Sequence, residues 1–192
     1  MSASALMTSS MLRDVSERPR FGCKGPAAET WLQGLGLPIP SAPNSWCCQQ
    51  ENALVARLAT SEFLVESLGP AHARISERAG SLLDSAQRRV GLVPVLRQDL
   101  VLELTGAAAN DLLLETCNVN FAPLARDAEA DAGPLVLTSM IGVGVTVIPR
   151  RNAGDVMYTI WCDPSFGHYF HATLAAIAGE LTRGLSVEEK NE

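Results

Sequence analysis

The chain predicts an α+β fold made of two ferredoxin-like split βαβ halves, with helices covering one face of each sheet. Three observations predict it. Ile141, Val143, Val145 and Val147 alternate with Gly142, Gly144, Thr146 and Ile148, the period-two pattern of a strand with one buried face. The blocks running from Phe21 to Ala28 and from Leu102 to Ala109 both read as a strand, a glycine and a small-residue helix start, and their glycines, Gly25 and Gly106, stand 81 residues apart. A hairpin and an amphipathic helix follow each block, so the order β-α-β-β-α occurs twice, with one further strand between the repeats.

The elements follow in order. Residues 1–17 are Ser-rich without a sustained period and read as a flexible arm, either loose or ordered on a partner. Arg20 to Lys24 forms a strand, and Gly25-Pro26 opens a helix whose Ala28, Trp31, Leu32 and Leu35 share a face until Gly36 stops it. Leu37 to Cys48, with Pro38, Pro40 and Pro43, reads as a surface loop. Ala53 to Ala59 and Glu62 to Ser67 make a hairpin around Thr60-Ser61. Gly69-Pro70 begins a helix with Ala71, Ile75, Ala79, Leu82 and Ala86 at helical spacing.

Val90 to Val95 and Leu100 to Leu104 are strands in the second half, and Gly106 leads into a helix carrying Ala109, Leu112, Leu113 and Thr116. Asp127 to Gly133 is an acidic loop. The central hairpin turns at Pro149 to Asp155 and returns through Val156 to Cys162. Asp163-Pro164 caps the last helix, whose stripe is Phe170, Leu174, Ile177 and Leu181 and whose end is Gly184. The expected organisation is an arm (1–17), one domain of two pseudo-repeats (18–89 and 90–184) and a charged tail (185–192).

Composition narrows the class of function. Apolar residues make up 47% of 192 positions, enough for an ordered core. Residues 1–90 hold 9 basic and 8 acidic side chains, whereas residues 91–192 hold 6 and 13. An acidic second half repels phosphate backbones, so no nucleic-acid partner is expected. The five cysteines contain no C-x-x-C pair and fit neither a disulfide framework nor a zinc knuckle, which points to a reducing cytoplasm. No secretory leader and no apolar run of membrane-spanning length is read, so no membrane association is expected.

Candidate chemistry is sparse. His168, His171 and Cys162 make an incomplete metal constellation, read as ordinary helix-face histidines, and His72 reads as a surface residue. Cys47-Cys48 lack the electropositive setting of a reactive thiol. Asp127, Glu129 and Asp131 lack the glycine turn and closing glutamate of a calcium loop. Gly142-x-Gly144 is no phosphate loop; small residues there are expected to admit a backbone or a partner's side chain, with a ligand-binding regulator as the alternative use. Trp161 is expected in the core, and Trp46 in contact with another chain. No catalytic, cofactor-binding or metal-binding residue is assigned.

Several short blocks in a fixed order do carry a resemblance. They begin with Arg20-Phe21-Gly22-Cys23-Lys24-Gly25-Pro26, Trp31-Leu32, Gly36-Leu37-Pro38-Ile39-Pro40 and Pro43-Asn44-Ser45-Trp46. They continue with Glu62-Phe63-Leu64-Val65-Glu66, Thr138-Ser139-Met140, Gly142-Val143-Gly144-Val145, Ile160-Trp161-Cys162-Asp163 and Phe166-Gly167. Together, from Arg20 to Thr182, they resemble the gamma subunits of heterotetrameric sarcosine oxidases, with the related small subunit of N-methylglutamate dehydrogenase as the alternative. Departures are the vicinal Cys47-Cys48 and the long Ser-rich start.

The resemblance implies an aminomethyltransferase-like (folate-binding-domain-like) architecture. It also implies a non-catalytic structural role in a complex that oxidatively demethylates sarcosine to glycine and passes the one-carbon unit to tetrahydrofolate. The implied partners are alpha, beta and delta subunits; FAD, FMN, NAD, tetrahydrofolate and zinc are implied on those partners and none on this chain. A stand-alone folate-dependent one-carbon transfer protein of the same fold is the competing expectation.

Overall fold

The computed structural model describes residues 11–49, 53–69, 77, 80, 90–129, 131–152 and 154–188. Of the helix expected after Gly69-Pro70, Glu77 and Gly80 are described and are helical, and the rest of it, with His72, lies outside the described residues. The chain divides into two compact units, one of residues 1–16, 99–128 and 136–192, the other of residues 17–98 and 129–135. Each unit therefore draws on both halves of the sequence.

The first unit holds a five-stranded antiparallel sheet. Its strands are β1 (Leu12–Asp14), β7 (Leu100–Thr105), β9 (Val136–Met140), β10 (Val143–Asn152) and β11 (Asp155–Cys162), in the order β1-β7-β11-β10-β9. Leu102 and Leu104, Val143, Val145 and Val147, and Tyr158 and Ile160 project from alternate positions into one core. Among the described residues three α-helices accompany it, α2 (Ala109–Thr116), the short α3 (Ala122–Arg126) and α4 (Gly167–Glu188). Leu112 and Leu113 of α2 and Phe170, Leu174 and Ala178 of α4 supply the helical side of the core. The i, i+4 spacing of Phe170, Leu174 and Ala178 makes one stripe, and each large side chain buried there contributes about 2 kcal/mol.

The second unit holds a six-stranded antiparallel sheet of β2 (Arg20–Lys24), β3 (Ser45–Gln49), β4 (Ala53–Ala59), β5 (Glu62–Ser67), β6 (Val93–Val95) and β8 (Ala132–Pro134), in the order β6-β2-β5-β4-β3-β8. Helix α1 (Ala28–Gly34) lays Ala28 and Leu32 against Phe21, Cys23, Val55, Phe63 and Val65.

The two units share a local construction. Gly25 and Gly106 both have positive φ, 110° and 99°, and in each case the glycine carbonyl accepts the N–H three residues on, from Ala28 at 3.0 Å and Ala109 at 3.1 Å. Only a residue without a Cβ turns a strand into a helix so abruptly. At Gly25 an added Cβ would also stand 2.4 Å from the Gly91 carbonyl oxygen. Each sheet takes an edge strand from the opposite half of the sequence, β1 pairing with β7 and β8 with β3.

Several expectations are corrected. The arm is not wholly loose, since Leu12 pairs with Leu104 and Met11, Leu12 and Val15 are buried. The Pro-rich loop ends early, because Ser45–Gln49 is β3, held between β4 and β8. The acidic loop likewise contributes Ala132–Pro134 as β8. The turn expected at Pro149 to Asp155 is shorter: β10 runs through Pro149 to Asn152, opposite Asp155. Pairing of β10 with β9 stops at Val147, so beyond it one flank has no strand partner among the described residues, and a residue lacking an N–H is tolerated. Ile141-Gly142 is not strand but a two-residue turn between Met140 and Val143. Both residues have positive φ, 44° and 82°, the signature of a type I′ hairpin. Gly184 does not end α4, which runs on to Glu188.

Candidate docking surfaces

His168 and His171 are exposed on α4 while Cys162 is buried in β11, and no group of three or more metal-ligating side chains forms among the described residues. Burial pushes the thiols up, Cys23 to about 12 and Cys162 to about 11, and Cys47 to about 11 with a further contribution from Cys48 beside it. These are thiols poised against reaction. Asp127, Glu129 and Asp131 remain exposed. Around Gly142 and Gly144 an added Cβ meets nothing within 4 Å, so close approach of another backbone is not why these glycines stand there.

Trp161 is buried, as its strand pattern requires. Trp46 is buried too, at 1% exposure, and so is not a surface anchor. Its indole lies over Gly133 of β8, whose added Cβ would come within 3.2 Å of Nε1.

Two charged pairs lie within the sheets. In the first unit Arg150 donates to Glu103 at 3.0 Å and to Thr159 at 3.5 Å. In the second, Glu66 at the end of β5 lies 3.2 Å from Arg20 and 3.9 Å from Arg18. Each is a buried carboxylate matched by guanidinium, an arrangement that specifies register more than it adds stability.

Two surfaces remain. In the second unit a shallow recess of about 320 Å³ is lined by Ala27, Thr30, Trp31, Gly34, Leu35 and Leu92. In the first unit Leu114 of α2 is 55% exposed, Phe166, in the 3-10 turn just before α4, is 47% exposed, and Tyr169, in the first turn of α4, is 50% exposed. The Ile141 N–H donates to the Thr116 carbonyl at 2.8 Å, and the Tyr169 hydroxyl donates to the Ile141 carbonyl at 3.0 Å, so the strained turn ties α2 to α4. Sequence reasoning passed over this face. Its signal was there in Leu114, an apolar residue out of phase with the stripe of Leu112, Leu113 and Thr116.

Comparison with known proteins places the fold. A chain of the heterotetrameric sarcosine oxidase from Corynebacterium sp. U-96, solved with pyrrole 2-carboxylate, superimposes with a TM-score of 0.69 at 19% identity, over 92% of this chain and 91% of that one. The glycine cleavage system aminomethyltransferase T from Bartonella henselae superimposes with a TM-score of 0.58 at 17% identity, over 89% of this chain but 47% of that one. No family model matches the sequence, and no curated protein does. The two antiparallel sheets with their helices are thus an aminomethyltransferase-like fold. No described helix is long and apolar enough to cross a membrane.

Proposed function

We propose that this chain is the non-catalytic, gamma-type structural subunit of a heterotetrameric sarcosine oxidase, a complex that demethylates sarcosine to glycine and transfers the one-carbon unit to tetrahydrofolate. One observation carries the reading: the match to a chain of such an oxidase is nearly complete in both directions, so the two chains are close in length as well as fold. Alpha, beta and delta subunits are the proposed partners, and FAD, FMN, NAD, tetrahydrofolate and zinc belong on them. A gamma-type subunit of N-methylglutamate dehydrogenase would satisfy the same observation.

A stand-alone folate-dependent transferase is less well supported, because the chain corresponds to under half of the aminomethyltransferase it superimposes on. The test is purification of the tagged chain from its native host. A yellow, flavin-containing assembly that oxidises sarcosine and holds this chain in stoichiometric amount is expected, with the isolated chain colourless. A separately purified chain that binds tetrahydrofolate or turns over an amine would overturn the proposal.

A further inference from the structure

We propose that an extended segment of a larger partner chain pairs with the open edge of β9 and continues the five-stranded sheet of the first unit. This deepens the subunit reading above and rests on it. Three observations carry it.

Among the described edges of the two sheets, β9 is the one left unprotected. The edge strands are β1 and β9 in one sheet, β6 and β8 in the other. β1, β6 and β8 are three residues long each; β1 carries Arg13 and Asp14, β6 holds Pro94 and β8 holds Pro134. Short length, charge and proline are the devices by which an edge refuses further pairing. β9 is five residues long with neither charge nor proline, and residues 143–148 of β10 alongside it carry no charge either.

The backbone of this edge faces outward where a strand would need it. Met140 and Val143 flank a two-residue turn and bond each other, so Thr138 and Val136 also turn their N–H and C=O groups toward β10. Leu137 and Ser139 therefore present theirs to the outer flank, where among the described residues no strand pairs with residues 136–139. Cys117 closes that flank at Met140, next to the bond from the Ile141 N–H to the Thr116 carbonyl. What satisfies the open stretch is extended backbone, which gives the occupant its chemistry.

The side chains agree. Val136 and Met140 belong to the core side, so the period of two puts Leu137 and Ser139 on the opposite face, where Thr146 and Gly144 stand across from them. There Leu137 is 57% exposed, and an added Cβ at Gly144 meets nothing within 4 Å. A strand added outside β9 sets a side chain next to Leu137 and covers apolar surface.

A second copy of this chain is the poorer occupant. Two-fold pairing of β9 about Leu137 or about Thr138 sets Pro134 or Val136 of each copy opposite Met140 of the other, where Cys117 already stands. It also brings together two acidic halves, each with 6 basic and 13 acidic side chains. A short segment of a different chain meets neither obstacle.

The experiment uses the tagged full chain purified with its partners from the native host. Amide hydrogen exchange, read residue by residue by fragmentation mass spectrometry, compares the outward N–H groups of Leu137 and Ser139 with the inward ones of Val136 and Thr138 in the same assembly. With a strand on the edge all four should be protected alike; on a bare edge Leu137 and Ser139 would exchange about 100-fold faster or more. Leu137→Pro removes an outward N–H and leaves the ladder to β10 intact, so it should lower the recovered partner by about tenfold or more with unchanged melting of the chain itself. Leu137→Lys, which keeps the N–H but charges the edge, should act in the same direction, and Leu137→Ala should act least. Fast exchange at both outward amides, or undiminished recovery with both the Pro and the Lys variant, would overturn this edge while leaving the subunit reading standing. A wild-type chain that purifies alone as a monomer would overturn both. A self-dimer abolished by Leu137→Pro would overturn the partner chain as occupant.

Discussion

Glu103 and Arg150 meet over the middle strand of their sheet: they stand on β7 and β10, which both pair with β11, and the guanidinium reaches 3.0 Å to the carboxylate with Thr159 of β11 beneath. Both side chains are buried, at 6% and 10% exposure, so each depends on its opposite charge. Glu103→Gln is expected to destabilise the protein by roughly 3 kcal/mol, because it strands a buried guanidinium without its counter-charge. The double variant Glu103→Leu/Arg150→Met should be less destabilised than either single change, since no charge is left to desolvate. Urea unfolding of the four proteins measures this, and strictly additive losses would contradict it.

Gly142 and Gly144 are two residues apart and play opposite parts. Space is open around both, but only Gly142 sits at positive φ. Gly142→Ala should therefore cost about 1 kcal/mol by forcing a side chain into the left-handed region. Gly144→Ala, in ordinary strand geometry, should gain about 0.5 kcal/mol by reducing the freedom of the unfolded chain. Thermal melting of the two variants decides it, and equal destabilisation would restore the close-approach explanation.

This pair also shows what the sequence reveals. The alternation from Val143 to Val147 made the strand legible, and the spacing of Phe170 and Leu174 made the last helix legible, because each element buries one face on its own period. The repeated strand-glycine-helix turn was legible because φ near +100° demands glycine. Where Ile141 takes positive φ the turn chemistry is concealed, and the hairpin before β10 was read as strand. Elements whose existence depends on distant pairing were equally concealed: β1 (Leu-Arg-Asp) and β8 (Ala-Gly-Pro) lack local strand propensity, and β1, β3 and β8 form because β7, β4 and β3 offer them edges. The candidate surface was hidden for a related reason, since exposure of Leu114 becomes visible only when α2 has a known orientation.

Trp46 and Gly133 face each other in register on β3 and β8. Gly133→Ala would place a Cβ 3.2 Å from the buried indole nitrogen, closer than contact, and should cost about 1–2 kcal/mol. The indole N–H has no hydrogen-bond partner among the described residues. Trp46→Phe consequently removes an unsatisfied donor along with part of the ring, and its cost is offset by that relief. In the double variant the smaller ring makes room for the methyl, so the losses should fall short of their sum by about 0.5 kcal/mol or more. A double-mutant cycle in urea measures the coupling, and a value of zero would remove the contact.

Alkaline pH should unfold this protein through its buried thiols. Cys23 is raised from 9.0 to about 12, and Cys47 and Cys162 from 9.0 to about 11, while Tyr158 is raised from 10.0 to about 12, in each case chiefly by burial that disfavours the anion. An acid whose native pKa lies above its unfolded value keeps its proton in the native state while the unfolded chain loses it. Between the two values the unfolded state binds fewer protons, and stability falls as pH rises. The contribution of these groups is therefore whole below about pH 9, declines from there to about 11, and is spent near 12. Thiolate absorbance followed alongside circular dichroism should show the buried cysteines ionising together with loss of structure. Ionisation near pH 9 in a protein still folded would mean that these thiols are open to solvent.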